Sequence, residues 1–143
     1  MQVKEGNGVV EMEMVYEGGL HTTVQHGPSR ARLETDAPID NQGKGEAFSP
    51  TDLLATSLAS CMLTTMAIAA DREGWQIDGA RARVEKHMVL QPTRRVGRVV
   101  VEIELPAGLP DASRTPLERS ARGCPVAASI HPDVELELEL RWG

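Results

Sequence analysis

The sequence predicts an α+β fold, and three observations predict it. Polar and apolar residues alternate along several short stretches, with the two-residue period of half-buried strands. One run, residues 53–70, carries no charged side chain. Strands and helices fall in blocks, β-β-β-α-β-β-α-β, whereas a doubly wound parallel sheet would interleave them. All 143 residues are expected to form one domain, 1–143.

Residues 9–16 set Val10, Met12, Met14 and Tyr16 on one face against Val9, Glu11, Glu13 and Val15 on the other, which reads as a first strand. Glu17-Gly18-Gly19 supplies a turn, residues 20–26 a second strand and Gly27-Pro28 another turn. Residues 30–35 complete a meander, with Ala31 and Leu33 expected inward. Residues 36–48, D-A-P-I-D-N-Q-G-K-G-E-A-F, then form a polar loop of the length that often carries function.

A helix begins near Ser49, which with Asp52 makes a capping-box pattern, and Pro50 suits the first helical position because it lacks an N–H. Asp71, Arg72 and Glu73 return the chain to water, and Gly74 offers the left-handed residue that ends many helices. Between these signals the helix is apolar on every face. Such a helix is either a core element or a membrane span. Five residues of the uncharged run 53–70 are Ser or Thr, and no aromatic or basic belt flanks it, so no membrane role is expected. Strands must then cover several of its faces, and a second copy of the chain is the expected source of part of that cover.

Residues 80–90 alternate again, with Ala82, Val84, Met88 and Leu90 inward and Arg81, Arg83, Glu85 and His87 outward. A loop over 91–97 leads into a returning strand, 98–105, that turns Val99, Val101, Ile103 and Leu105 inward. Residues 111–122 read as a short helix ending at Gly123, and Cys124-Pro125 as a mobile bend. The last strand is the clearest, with Val134, Leu136, Leu138, Leu140 and Trp142 in and Glu135, Glu137, Glu139 and Arg141 out.

The formal net charge of -6 argues against nucleic acid, whose phosphates require a basic footprint. The opening residues contain no apolar segment of a secretory signal, so a cytoplasmic location is expected. In that reducing compartment two cysteines do not form a permanent bridge, which leaves packing or redox chemistry. Cys61 and Cys124 are 63 positions apart, too far for a C-x-x-C motif. Taken alone, Cys61 reads as a small buried hydrophobe. A second thiol on a bend makes a sulfur pair conceivable.

A reacting cysteine must be a thiolate, and an apolar site opposes that. Cys61 lies about three turns into its helix, where the dipole has faded, so a cation from another element is required. His21, His26, Arg30 and Arg32 on the first meander and Arg81, Arg83 and His87 on the second are candidates, although each reads individually as a solvated strand residue. Asp52 reads first as a cap, with a carboxylate that a site could share. The four histidines show no metal-ligand spacing, and neither a G-x-S-x-G elbow nor a phosphate loop is present, so no metal or cofactor is expected.

Taken together, F-S-P-T-D-L-L-A-T-S-L-A-S-C-M-L-T-T-M at 48–66 and R-G-C-P-V-A-A-S-I at 122–130 resemble the OsmC/Ohr family of osmotically inducible and organic-hydroperoxide-resistance proteins. T-D-A-P-I-D-N-Q-G-K-G-E in the long loop is similar to one OsmC-like subgroup. The resemblance covers essentially the whole chain and implies an intertwined homodimer around a buried central helix, with two sites at the subunit interface. It further implies a thiol peroxidase of the oxidative stress response. In that role Cys61 attacks an organic hydroperoxide and becomes a sulfenic acid, Cys124 condenses with it to a disulfide, and a dithiol reductant of lipoyl type reopens the bond. The family site also holds an Arg from the first hairpin and a Glu ten residues before the cysteine. Here Leu20 and His21 follow Gly18-Gly19, and Thr51 stands at the Glu position with Asp52 beside it, which makes His21 and Asp52 the candidate cation and carboxylate. The alternative is a non-catalytic OsmC-like protein that binds a small apolar molecule or a thiol adduct at the dimer interface.

Overall fold

Alternating polarity builds six strands and the uncharged run builds a long helix in the computed structural model, which describes residues 8–143. The opening residues, considered above for the absence of a secretory signal, lie outside the described residues through residue 7. The chain divides into two compact units, Met1–Pro50 and Thr51–Gly143.

In the first unit β1 (Met12–Gly18), β2 (His21–His26) and β3 (Arg32–Asp36) form an antiparallel sheet in that order. The β1–β2 turn needs glycine, because Gly18 and Gly19 take φ of 85° and 62°, where a Cβ is disfavoured. Register aligns Met14, Val24 and Leu33 across the sheet, beside a row of Tyr16, Thr22 and Thr35. Burial does not follow that pattern. Met14 is 63% exposed and Leu33 44%, and Ala31, expected inward, is exposed as well. A three-stranded sheet has nothing within itself to bury an apolar face against. Thr35 and Asp36, at the end of β3, are the buried exceptions.

In the second unit α1 (Pro50–Arg72) packs with β4 (Arg81–Val89), β5 (Arg95–Leu105) and β6 (Glu135–Trp142). The sheet order is β4-β5-β6, with β4 antiparallel and β6 parallel to β5. A parallel pair requires a crossover. It is supplied by α2 (Arg114–Arg122) and a further short helix, α3 (Pro125–Ser129), that the sequence reading did not separate from a bend. The core joins Val99, Val101, Ile103 and Leu105 of β5 to Leu58, Met62, Met66 and Ala70 of α1 and to Leu117 and Ala121 of α2.

Two expectations on the sheet change. The strand expected from 98 begins at Arg95, because a bulge at Gly97 lets Val96 as well as Val99 turn inward. A Cβ at Gly97 would stand 2.5 Å from Val89 Cγ1, so only glycine fits. At the other end β4 stops at Val89, which leaves Leu90 67% exposed, and Ala82 is exposed too.

By length and composition α1 could cross a membrane, but its stripe of Ala55, Leu58, Ala59, Met62, Met66 and Ala70 is buried in this core. The opposite stripe, Leu54, Ser57, Cys61, Thr64 and Ile68, recurs at spacings of three and four and faces outward. Leu54 is 37% and Ile68 51% exposed. Leu58 is fully buried, so Leu58→Ala is expected to cost about 2–5 kcal/mol in urea unfolding. A loss below about 1 kcal/mol would place that stripe outside the core.

Candidate active site

Cys61 is half-buried on the outward stripe of α1, its Sγ 3.9 Å from Thr65 Oγ1 one turn on. Cys124 is fully buried between α2 and α3. Its extended backbone makes it the N-cap of α3, Pro125 occupies the first turn, and the Ala127 N–H donates to Cys124 Sγ at 3.4 Å. The expected mobile bend is in fact a held one. Cys124 N–H donates to Ala121 O at 3.3 Å, and Cys124 O accepts from Ala128 N–H at 3.1 Å.

The crossover brings the two thiols together. Burial pushes the Cys124 thiol above its usual range, and the hydrogen bond and charge of the adjacent Cys61 push it further, while the Ala127 and Val126 N–H groups pull it down. Both cysteines are free thiols. The site therefore offers one partly accessible sulfur and one enclosed sulfur, the first near enough for its charge to act on the second.

Asp52 begins the same helix. Nine residues at 1.5 Å rise separate it from Cys61 by roughly 14 Å along the axis, so within one chain the helix holds them apart. Asp52 Oδ1 instead lies 2.8 Å from Lys86 Nζ, which also donates to Thr51 Oγ1 at 3.0 Å. Lys86 is only 17% exposed, since β4 turns it to the same face as Val84 and Met88. Sequence reasoning did not single it out. The available signal was a lysine at an inward position of an alternating strand.

His21 belongs to the first unit and has partners there. Its Nδ1 donates to Asp36 Oδ1 at 2.5 Å, and its Nε2 lies 3.4 Å from Glu34 and 3.7 Å from Glu17. The hydrogen bond to Asp36 raises the imidazole above its usual value and Glu34 adds to this, against the cost of partial burial. The same bond lowers the Asp36 carboxyl, helped by N–H groups of Glu46 and Ala47 and opposed by burial. Glu46 N–H reaches Asp36 Oδ2 at 2.9 Å, so this carboxylate ties the long loop to the sheet. A cavity of about 350 Å³ opens here, lined by Gly18, Gly19, His21, Glu34, Asp36, Lys44, Glu46 and Ala47. Asp36 was not singled out from sequence, because only strand register sets it opposite His21. Among the described residues, no three His, Cys, Asp or Glu side chains group closely enough to hold a metal ion.

Residues 43–139 match the family described as OsmC-like protein. A Psychrobacter arcticus structure, of a protein proposed to be osmotic-stress induced and part of a detoxification response, is 46% identical with a TM-score of 0.87 and covers 94% of this chain and 98% of that one. An organic hydroperoxide resistance protein OsmC from Legionella pneumophila shares the fold at 18% identity and TM-score 0.77, over 96% of this chain and 99% of that one. The organic hydroperoxide resistance protein of Bacillus subtilis does so at 15% and 0.69, over 95% and 100%. No curated protein matches.

The sign of the His21–Asp36 linkage follows from the two shifts. Asp36, lowered, contributes stability above its ordinary 3.8 that is lost as pH falls through its folded value. His21, raised, contributes fully below 6.5, and this is lost as pH rises through its folded value. The pair is thus strongest between about 3.8 and 6.5. In an NMR titration His21 is expected to titrate above 6.5 and to move down in Asp36→Asn; an unchanged midpoint would refute the pairing.

Proposed function

The chain belongs to the OsmC-like protein family, and from that membership we propose that it is a cytoplasmic thiol peroxidase that reduces organic hydroperoxides. The observation that carries this reading is a pair of free thiols in a chain of this family, a half-buried one on α1 and an enclosed one at the start of α3. The organic hydroperoxide resistance described for the Legionella and Bacillus relatives supports it.

The Cys61 thiolate attacks the outer peroxide oxygen, the O–O bond breaks, and the alkoxide leaves as an alcohol after taking a proton. Cys61 becomes a sulfenic acid. Cys124 sulfur then attacks Cys61 sulfur, hydroxide departs as water, and a disulfide forms. A dithiol reductant of lipoyl type opens that bond by exchange and is itself oxidised to a disulfide. Asp52 and His21 take the parts of carboxylate and cation in this reading, and no cofactor is required.

The same proposal includes a homodimer. The stripe of Leu54, Thr64 and Ile68 on α1 and the exposed face of Met14, Tyr16 and Leu33 in the first unit are apolar surfaces that a second copy would cover. One observation favours a second reading, a non-catalytic binding protein: His21 is engaged by Asp36, Glu34 and Glu17, and Asp52 by Lys86, so both assistants carry other interactions.

A slight excess of cumene hydroperoxide is expected to consume two thiols per chain and yield a Cys61–Cys124 crosslink in peptide mass spectra, with no crosslink in Cys61→Ser. Unchanged thiols in the wild type would sink the peroxidase reading. Sedimentation is expected to give a dimer that Ile68→Glu dissociates, and a wild-type monomer at micromolar concentration would remove the dimer from the proposal.

A further inference from the structure

The hydroxyls along α1 do not all do the same work. Ser57 Oγ donates to Leu54 O at 2.7 Å and Thr64 Oγ1 to Ser60 O at 2.8 Å, the bonds to the preceding turn that Ser and Thr ordinarily make inside a helix. Thr65 departs from this. Its Oγ1 stands 3.9 Å from Cys61 Sγ, and both side chains are half-buried whereas Thr64 is exposed. The contact follows from helix geometry, because side chains lean toward the N-terminus and each reaches back over the residue four positions earlier. Thr is branched at Cβ and stiff at χ1, which holds its hydroxyl in place. Cysteine is unbranched, and helix sterics exclude only χ1 of about +60°, which leaves its sulfur two positions.

We propose that Thr65 is a positioning residue: its O–H donates to Cys61 Sγ and selects, of the two rotamers open to that cysteine, the one with the sulfur toward Thr65. This deepens the peroxidase reading and rests on it for its purpose, because a displacement at oxygen depends on the direction from which the sulfur arrives. Two neighbouring substitutions separate the hydrogen bond from packing. Valine has the shape of threonine without the donor, so packing alone would leave Thr65→Val equivalent to wild type, and a hydrogen bond would not. Thr64 offers the same chemistry one residue earlier, with its hydroxyl committed to Ser60 O, and serves as the control.

Reduced wild type, Thr65→Val, Thr65→Ser and Thr64→Val are compared at one pH in two measurements. The first needs no peroxide: the Hα–Hβ couplings of Cys61 in NMR spectra report its χ1. One rotamer is expected in wild type, Thr65→Ser and Thr64→Val, and averaged couplings in Thr65→Val. The second is the rate at which cumene hydroperoxide consumes the Cys61 thiol in a single turnover. Thr65→Val is expected to be roughly three- to tenfold slower, the range of one hydrogen bond, with Thr65→Ser within about twofold of wild type and Thr64→Val unchanged. An unaltered Cys61 rotamer in Thr65→Val would overturn the proposal. So would equal rates for Thr65→Val and wild type, or a Thr65→Ser as slow as Thr65→Val, which would assign the role to the threonine methyl. If cumene hydroperoxide leaves the wild-type thiols intact while the couplings separate as expected, the peroxidase reading fails and the Thr65 hold on the sulfur stands.

Discussion

The long helix α1 carries an uncharged run that is apolar on every face, and the rest of this structure depends on burying one side of it. α1 buries the stripe of Leu58, Met62, Met66 and Ala70 against β5 and α2 and leaves Leu54, Thr64 and Ile68 outward. A single sheet can cover only one side of a cylinder. The outward stripe holds the half-buried Cys61 at its middle, so the uncovered face of α1 and this thiol coincide.

The second sulfur arrives through topology. Because β6 runs parallel to β5, the chain must cross over between them, and α2 and α3 make that crossing. Cys124 sits at the corner where one short helix ends and the next begins. Its amide bonds back to Ala121, and its sulfur accepts from Ala127. Backbone hydrogen bonds therefore fix this thiol, and burial raises its pKa, while Cys61 is only half-buried.

Charged groups were the least legible part of the sequence. Lys86 did not stand out among the charges of its strand, yet it is folded inward onto Asp52 and Thr51. His21 looked like a free cation, yet Asp36 and Glu34 surround it. Both misreadings have one cause. A charge is located by what it pairs with, and the partners lie 34 and 15 positions away in sequence, joined only by tertiary packing or strand register. The apolar face of β1–β3 was legible as a pattern but not as a buried surface, since alternation shows which residues share a face and not whether anything lies over it.

The sequence by itself determined the α+β class, the strand and helix order, the inward residues of β5 and β6, and the two cysteine contexts, because period, capping and turn residues act over a few neighbouring positions. Only the tertiary structure decided that Gly97 bulges, that β6 is parallel to β5, and that Cys124 caps a separate helix and is fully buried there. Those outcomes are set by packing between segments remote along the chain, where burial and hydrogen-bond geometry outweigh any local preference.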